Sequence, residues 1–321
     1  MQPFVTEPAI AIQGVNKRFG ATHAVRDLDL TVPAGSLCGF LGPNGAGKST
    51  TIRMIMSIIY PDDGEIRVLG STAMANKDRI GYLPEERGLY RKMRVGDFLH
   101  YIARLKGVTR PDLDAHITAW LERIELPGVA RRRCQELSKG MQQKVQFLAA
   151  IIHDPDLVIL DEPFSGLDPV NAELLNTLIR ELQETGRTII FSTHVLHQAE
   201  EICDRIFLIN HGVKMLDAPL EEIRRRFDPR TIEVDPVTPV NGGLEIPGVN
   251  GIAARGSNAV ELHLDDDADP HAVMRATLER VPARSIRLRR PTLQEIFVET
   301  VRAGEGEAAA AQAEEALSHA P

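Results

Sequence analysis

A glycine-rich loop that ends in lysine, serine and threonine is the first stretch of this sequence able to do chemistry. Residues 42–50 read GPNGAGKST, after an apolar run that predicts a buried strand and before a periodic helix. Glycines let backbone N–H groups close around phosphate oxygens, and the helix N-terminus adds positive field. The alternative, a flexible glycine-rich turn, explains neither the lysine nor the strand and helix. The predicted nucleotide-binding residues are Gly42, Pro43, Asn44, Gly45, Ala46, Gly47, Lys48, Ser49 and Thr50.

Three side chains at the end of this loop have separate predicted roles. We expect Lys48 to bridge the terminal phosphates of the nucleotide and to act in catalysis. Ser49 is expected to bind Mg²⁺, while Thr50 bonds a further phosphate oxygen. Mg²⁺ is therefore a predicted cofactor.

Two adjacent carboxylates close a later apolar run, LVILDEP, at 157–163. A buried carboxylate is costly unless it is engaged, so we expect Asp161 to hold Mg²⁺ through water and Glu162 to accept a proton from an attacking water. The alternative is an acid that caps a helix. A further strand, TIIFST, ends at His194, which is predicted to reach the γ-phosphate and orient the water. The spacing of His194 and His197 also suggests a metal site as an alternative, but no cysteine or third histidine completes a ligand set.

A second anion-binding pattern occurs in QELSKGMQQKVQF, residues 135–147. Ser138 is placed to cap a helix, and Gly140 allows a close backbone approach at its positive end. The competing interpretation is a plain capped core helix. The helix carries an apolar stripe that predicts rigid seating: Met141, Val145, Leu148, Ala149 and Ile152.

The elements that must hold these residues predict an α/β sheet with parallel central strands. Short apolar runs predict strands near residue 10 and at 37–42, 157–160, 188–193 and 205–210. Residues about 86–136 read as a helical insert without a strand. Residues 229–302 read as a small α+β domain, and the Ala- and Glu-rich end, 303–321, as a disordered tail or a frayed helix.

Composition limits the remaining classes. The chain has 321 residues and a formal net charge of −8, which argues against a duplex-binding protein. The three cysteines are scattered without disulfide or zinc spacing, which predicts a reducing compartment. No run approaches the roughly 18 apolar residues that span a bilayer, and the N-terminus lacks a signal-peptide pattern. The arginine runs at 131–133 and 224–226 read as solvated segments.

In their order and spacing over residues 8–228, these motifs resemble the ATP-binding subunit of an ABC transporter. The resemblance rests on Phe19, the loop 42–50, LSKGM at 137–141, LVILDE at 157–162, SGLD at 165–168 and His194. It implies a P-loop NTPase of ABC type, with a mixed sheet and helical insert, that hydrolyses ATP. The segment YLPEERGLY and the ending PTLQEIFVETV look most like bacterial exporters of the sodium-extrusion and multidrug kind.

The resemblance also implies partners. Two such subunits, either copies of this chain or paralogues, pack head to tail, and Ser138 and Gly140 close over the ATP held by the other phosphate loop. Asp168 is expected at that interface, and a separate transmembrane permease holds the subunit at the cytoplasmic face of the membrane. The helical insert is expected to touch the permease. No nucleic-acid partner is expected.

Some implied assignments depart from the family pattern or stay open. Phe19 resembles the aromatic residue that stacks on adenine, with a buried core phenylalanine as the alternative. Glu85 falls where a glutamine that senses Mg²⁺ is usual, and it is retained as a candidate metal residue. Lys139 and Met141 replace glycine and glutamine in the signature, and Lys139 is expected to point into water. Other possible functions are a non-transport ABC ATPase in translation or nucleic-acid maintenance and a non-catalytic nucleotide-binding regulator.

Overall fold

The computed structural model describes residues 7–86, 88–227, 230–238, 245–255 and 259–318. Its strands are β1 Ile10–Phe19, β2 Thr22–Val32, β3 Leu37–Leu41, β4 Asp63–Val68, β5 Ile80–Leu83, β6 Leu157–Asp161, β7 Thr188–Thr193, β8 Arg205–Asn210, β9 Val213–Pro219, β10 Thr231–Pro236, β11 Val249–Arg255, β12 Ala259–Leu264 and β13 Ala283–Leu288. Its helices are α1 Lys48–Ile55, α2 Val95–Leu105, α3 Leu113–Arg123, α4 Lys139–Ile151, α5 Pro169–Glu184, α6 Leu196–Ile202, α7 Leu220–Arg226, α8 Pro270–Arg280, α9 Leu293–Glu305 and α10 Glu307–Ser318.

The central sheet places the phosphate loop, Asp161, Glu162 and His194 at one end of its parallel strands. Its six strands run in the order β5, β6, β7, β3, β8, β9, all parallel except the antiparallel last pair. Continuous apolar strands of this kind are buried on both faces, and all five residues of β3 and of β6 are buried. Because parallel strands end at the same edge, the segments that follow Leu41, Asp161 and Thr193 come together there. The α/β fold predicted for this part is confirmed.

A second, antiparallel sheet covers the first. Its three strands have the order β2, β1, β4. Apolar side chains from both sheets and from α1 form one core, which includes Ile10, Val25, Phe40, Ile52 and Phe207. The sequence pattern indicates only the strand near residue 10, because charged residues interrupt the apolar runs of β2 and β4. Register shifts occur in the pairings of both strands with β1.

The segment 86–136 contains α2 and α3, two short 3-10 turns and, among its described residues, no strand. Each helix buries one apolar face: Val95, Phe98, Leu99, Leu113, Ile117, Trp120 and Leu121. This periodicity is what the sequence predicted for an insert. None of the described helices is long and apolar enough to cross a membrane.

The C-terminal part contains a compact unit, Glu221–Ile296. Its four-stranded antiparallel sheet has the order β11, β12, β10, β13, and it has a core of its own: Ile232, Val234, Ile246, Leu262, Leu264 and Val273. The residues from Phe297 onward group instead with those up to Leu220. The expected domain 229–302 therefore includes residues that the packing assigns elsewhere.

For the end of the chain, 303–321, where the sequence leaves a disordered tail or a frayed helix open, the structure shows helix. Helix α10 occupies Glu307–Ser318, and Ala310 is buried. Its sequence, EAAAAQAEEALS, consists mostly of strong helix formers. Helix propensity and the burial of Ala310 favour the helical alternative.

Candidate functional site

The loop 42–50 is held so closely that glycine is required at two of its positions. Gly42 and Gly47 have φ angles of 154° and 107°. A Cβ atom would lie 2.2 Å from the Ile209 carbonyl oxygen at the first position and 2.6 Å from the Ala24 carbonyl oxygen at the second. The loop is thus packed closely against β8 and β2.

Lys48 begins α1 and is only 5% exposed. Its Nζ donates to the carbonyl oxygens of Gly42 at 2.7 Å and Pro43 at 3.1 Å. Burial lowers the pKa of Lys48, while the carboxylates of Glu162, Asp161 and Glu85 act in the opposite direction. An ammonium has three N–H donors, so the loop fixes the group in place and leaves one donor for a phosphate.

Asp161 ends β6 in a buried position, next to two hydroxyl groups. Ser192 Oγ donates to Asp161 Oδ1. Burial raises the pKa of Asp161, and hydrogen bonds from Ser192 and Ser49 together with the charge of Lys48 oppose that rise. The described residues hold no group of three histidine, cysteine or acidic side chains suited to a metal. One carboxylate and one hydroxyl nevertheless fit Mg²⁺, which takes few protein ligands when phosphates supply the rest.

Glu162 is fixed by its neighbours in the next strand. Its φ is +50°, a strained value for a residue other than glycine. Glu162 Oε1 accepts from His194 N at 3.1 Å and lies 2.8 Å from His194 Nδ1, while Thr193 Oγ1 lies 3.3 Å from Glu162 Oε2. His194 therefore orients the carboxylate of Glu162. His197, the second histidine of the alternative metal site, has its Nε2 3.3 Å from Glu201 Oε1. The geometry therefore gives a metal site at His194 and His197 no support.

A cleft of about 550 Å³ opens over the phosphate loop. Of the predicted residues it brings together Asn44, Gly45, Gly47, Lys48, Ser49, Thr50, Glu85 and Glu162. Phe19, Ser138, Gly140 and His194 are not among the residues that line it. This volume lies in the usual range for small-ligand sites, and the lining combines a cationic loop with carboxylates.

Six further residues line the cleft that sequence reasoning missed: Ala21, Thr22, His23, Ala24, Arg26 and His211. Arg26 N in β2 donates to Gly212 O at 2.8 Å, and Gly212 N donates to Ala46 O in the phosphate loop at 2.9 Å. The dipeptide His211–Gly212, both residues at positive φ, marks the tight turn between β8 and β9. That turn was readable in the sequence, but its position beside the loop was not.

Phe19 ends β1 and is 50% exposed, so the alternative of a buried core phenylalanine is wrong. It pairs with Thr22 across the β1–β2 hairpin, and residues 21–24 of that hairpin line the cleft. Lys17 Nζ lies 5.5 Å from the centre of its ring. An exposed aromatic ring beside the mouth of a nucleotide cleft is suited to stacking on a base.

Replacing Phe19 by alanine tests this assignment. We expect Phe19→Ala to weaken binding of ATP about fivefold to tenfold, because stacking contributes on the order of 1 kcal/mol. Binding of inorganic triphosphate should not change, since it has no base. Calorimetric titration of both ligands measures the difference, and Tyr60→Ala, which removes another exposed aromatic ring outside the cleft, is the control. Equal losses for both ligands would contradict a stacking role.

The second anion-binding pattern lies on the exposed end of α4. Ser138 caps this helix by accepting from Met141 N at 3.3 Å, and Lys139 is exposed, as expected. A Cβ atom at Gly140 would meet nothing closer than Leu167 Cδ2 at 3.6 Å. The fold of this chain therefore does not require glycine at position 140. In the predicted stripe, Val145, Leu148 and Ile152 are buried, and Met141 and Ala149 are half-buried.

Asp168 caps α5 rather than contacting the cleft. Its Oδ1 accepts from Asn171 N at 3.0 Å, and its Oδ2 accepts from Asn171 Nδ2 at 2.6 Å. These bonds, the backbone one first, lower the pKa of Asp168. Its side chain is exposed, so the interface role inferred from the resemblance stays a prediction.

Comparison with known proteins gives consistent matches along the chain. A family model described as ABC transporter matches residues 25–165, and one described as the C-terminal domain of DrrA1-3-like ATP-binding proteins matches 219–301. An uncharacterized ABC transporter ATP-binding protein of Alkalihalophilus pseudofirmus is 40% identical, over 81% of this chain and 98% of its own length. The Nod factor export ATP-binding protein I of a Rhizobium species is 34% identical over 92% and 97%. A solved ATP-binding subunit of an ABC transporter superposes with a TM-score of 0.64 at 30% identity, covering 68% of this chain and 93% of its own.

Proposed function

Because this chain belongs to the family of ABC transporter ATP-binding proteins, we propose that it closes with a second copy around ATP and drives export by a separate permease. ATP binding and hydrolysis in the service of transport follow from the family. The matches are to transporter subunits, and they give no support to a role in translation or nucleic-acid maintenance. The dimer, the direction of transport and the roles of individual residues go beyond what the family shows, and we propose them for this chain.

One observation supports the proposed dimer: the phosphate loop and the N-terminal end of α4, which are the two predicted anion sites, do not share a cleft. The cleft contains the phosphate loop and Glu162, whereas Ser138 and Gly140 do not line it. Ser138 lies exposed at a helix N-terminus, which is the end of a helix that attracts anions. Gly140 is not needed by the packing of its own chain. A second copy, or a paralogue, that presents its phosphate loop to this helix end would use both features.

In the proposed mechanism, this chain positions ATP and one water. The loop backbone and Lys48 hold the phosphates and stabilise the charge that develops during transfer to water. Glu162 takes the proton of the attacking water, and His194 holds the carboxylate of Glu162 in place. Mg²⁺, held by Ser49 and Asp161, with Glu85 as a further candidate, would supply positive charge to the phosphate oxygens.

The proposed export direction rests on the names of two relatives. One relative is named for Nod factor export and another, from Bacillus subtilis, for linearmycin resistance. We propose that Glu221–Ile296 is an accessory domain outside the nucleotide site, since the cleft residues all precede it. The subunit would then act at the cytoplasmic face of the membrane through its permease.

Purification with a membrane partner tests the proposal. We expect the chain to co-purify with a protein of several membrane spans encoded beside it, and the exported solute to raise ATP hydrolysis of the reconstituted complex severalfold. Vesicles with ATP outside should accumulate that solute inside, because an exporter moves solute away from the nucleotide side. Solute movement toward the side that holds ATP would show an importer, and the failure of any permease to bind would reject the transport assignment.

A further inference from the structure

The hydroxyl of Thr193 occupies a junction of hydrogen bonds behind Glu162. Thr193 is the last residue of β7 and is completely buried. Its Oγ1 accepts from Val195 N at 3.0 Å and lies 3.3 Å from both Glu162 Oε2 and Gln198 Oε1. No sequence motif pointed to this residue.

Sheet register creates this junction. Asp161 pairs with Ser192 across β6 and β7, and Glu162 N donates to Ser192 O at 3.1 Å. Residue 193 therefore comes beside residue 162 as both strands end. Since Glu162 has a positive φ, its side chain leaves the strand in a direction that the strand itself does not fix, and neighbouring groups must hold it.

The hydroxyl of Thr193 has one proton for two acceptors. The N–H of Val195 already donates to this oxygen, so the proton goes either to the carboxylate of Glu162 or to the amide of Gln198. A charged acceptor forms the stronger hydrogen bond. The amide of Gln198 can turn to present Nε2 as a donor instead, because amide oxygen and nitrogen positions exchange by a simple flip. The favoured arrangement directs the proton of Thr193 to Glu162.

We infer that Thr193 is a positioning residue for hydrolysis, which fixes the second oxygen of the Glu162 carboxylate while His194 fixes the first. This rests on the proposed role of Glu162 as the base. With Oε1 held by two donors from His194, the bond from Thr193 determines the rotation of the carboxylate plane. If the carboxylate of Glu162 is rotated away from the attacking water, the rate of hydrolysis falls, but the affinity of the phosphate loop for ATP does not change.

Replacement of Thr193 by valine keeps the shape of the side chain and removes the hydroxyl. We expect Thr193→Val to lower kcat for ATP hydrolysis about tenfold or more, since a hydrogen bond to a charged group is lost, with KM and ATP affinity within about twofold. Thr193→Ser keeps every hydrogen bond and should restore most of kcat. Gln198→Met removes only the competing amide and should leave kcat within about threefold. Thermal melting of each variant with and without ATP identifies any that is unfolded.

Three results would overturn the inference. If Thr193→Ser is as slow as Thr193→Val while both stay folded, the hydroxyl is not the active feature. If Gln198→Met is as slow as Thr193→Val, the hydroxyl acts through Gln198. If Thr193→Val has the kcat of the unchanged chain while Glu162→Gln has lost most of its activity, the role of Thr193 is rejected and the role of Glu162 as the base stands. Normal hydrolysis in Glu162→Gln would instead reject the proposed base.

Discussion

Glutamine in place of Glu162 should lower the rate of ATP hydrolysis by about a hundredfold or more, which is the scale for loss of a positioned base. Glutamine has nearly the same size, but its amide cannot take a proton from water. The affinity for ATP should stay close to that of the unchanged chain, because Lys48 and the loop backbone hold the phosphates. Phosphate release measures the rate, and equilibrium binding measures the affinity.

A bound but uncleaved ATP should also stabilise the closed dimer. Size-exclusion chromatography with ATP is expected to show Glu162→Gln as a dimer where the unchanged chain is mostly monomeric. Glu86→Gln removes a nearby exposed carboxylate that does not line the cleft, and it should behave as the unchanged chain does. Near-normal hydrolysis by Glu162→Gln would refute the assignment of Glu162 as base.

Arginine in place of Ser138 should reduce hydrolysis to near background and leave ATP binding by each monomer intact. Ser138 does not line the cleft of its own chain, so the larger side chain does not obstruct the phosphate loop there. In the proposed dimer it would put bulk and charge between the helix end and the partner's phosphates. On the same sample, calorimetry should therefore show normal ATP binding, while the phosphate-release assay shows almost no hydrolysis.

Mixing and crosslinking decide whether Ser138 acts on another chain. A mixture of Ser138→Arg with Lys48→Ala can gather both defects in one composite site, so partial recovery of hydrolysis supports action between chains. In a chain without its native cysteines, Ser138→Cys and Ser49→Cys on differently tagged copies should form an ATP-dependent disulfide between them. A disulfide that forms only within one chain would show that the interface is wrong.

The sequence predicted the residues that belong to one strand and the turn that follows it. The phosphate loop follows β3, and the two carboxylates lie at the end of β6, because buried parallel strands are short apolar runs whose ends are easily recognised. Arg26 and His211 were missed because they reach the cleft from β2 and the β8–β9 turn. Their approach depends on hydrogen bonds between distant segments, which leave no local pattern in the sequence.

The orientation of the His194 side chain could not be predicted from the sequence. Its placement at the end of a strand was predicted, together with a contact to the γ-phosphate. In the structure its Nδ1 lies 2.8 Å from Glu162 Oε1, and the contact to the γ-phosphate stays a prediction. The strained backbone of Glu162 turns that side chain toward the neighbouring strand. Backbone strain at a residue other than glycine has no signature in residue type.

The unit that contains the phosphate loop is discontinuous along the chain. Phe297 and Val301 are completely buried, and they group with the residues up to Leu220 rather than with Glu221–Ile296. Protein synthesis proceeds from the N-terminus, and domains generally fold as units. The unit that contains the phosphate loop therefore lacks its last segment until nearly the whole chain has left the ribosome. We expect a premature stop between Leu220 and Phe297 to release this unit without Phe297 and Val301, so that the apolar surface they cover is exposed to chaperones and proteases.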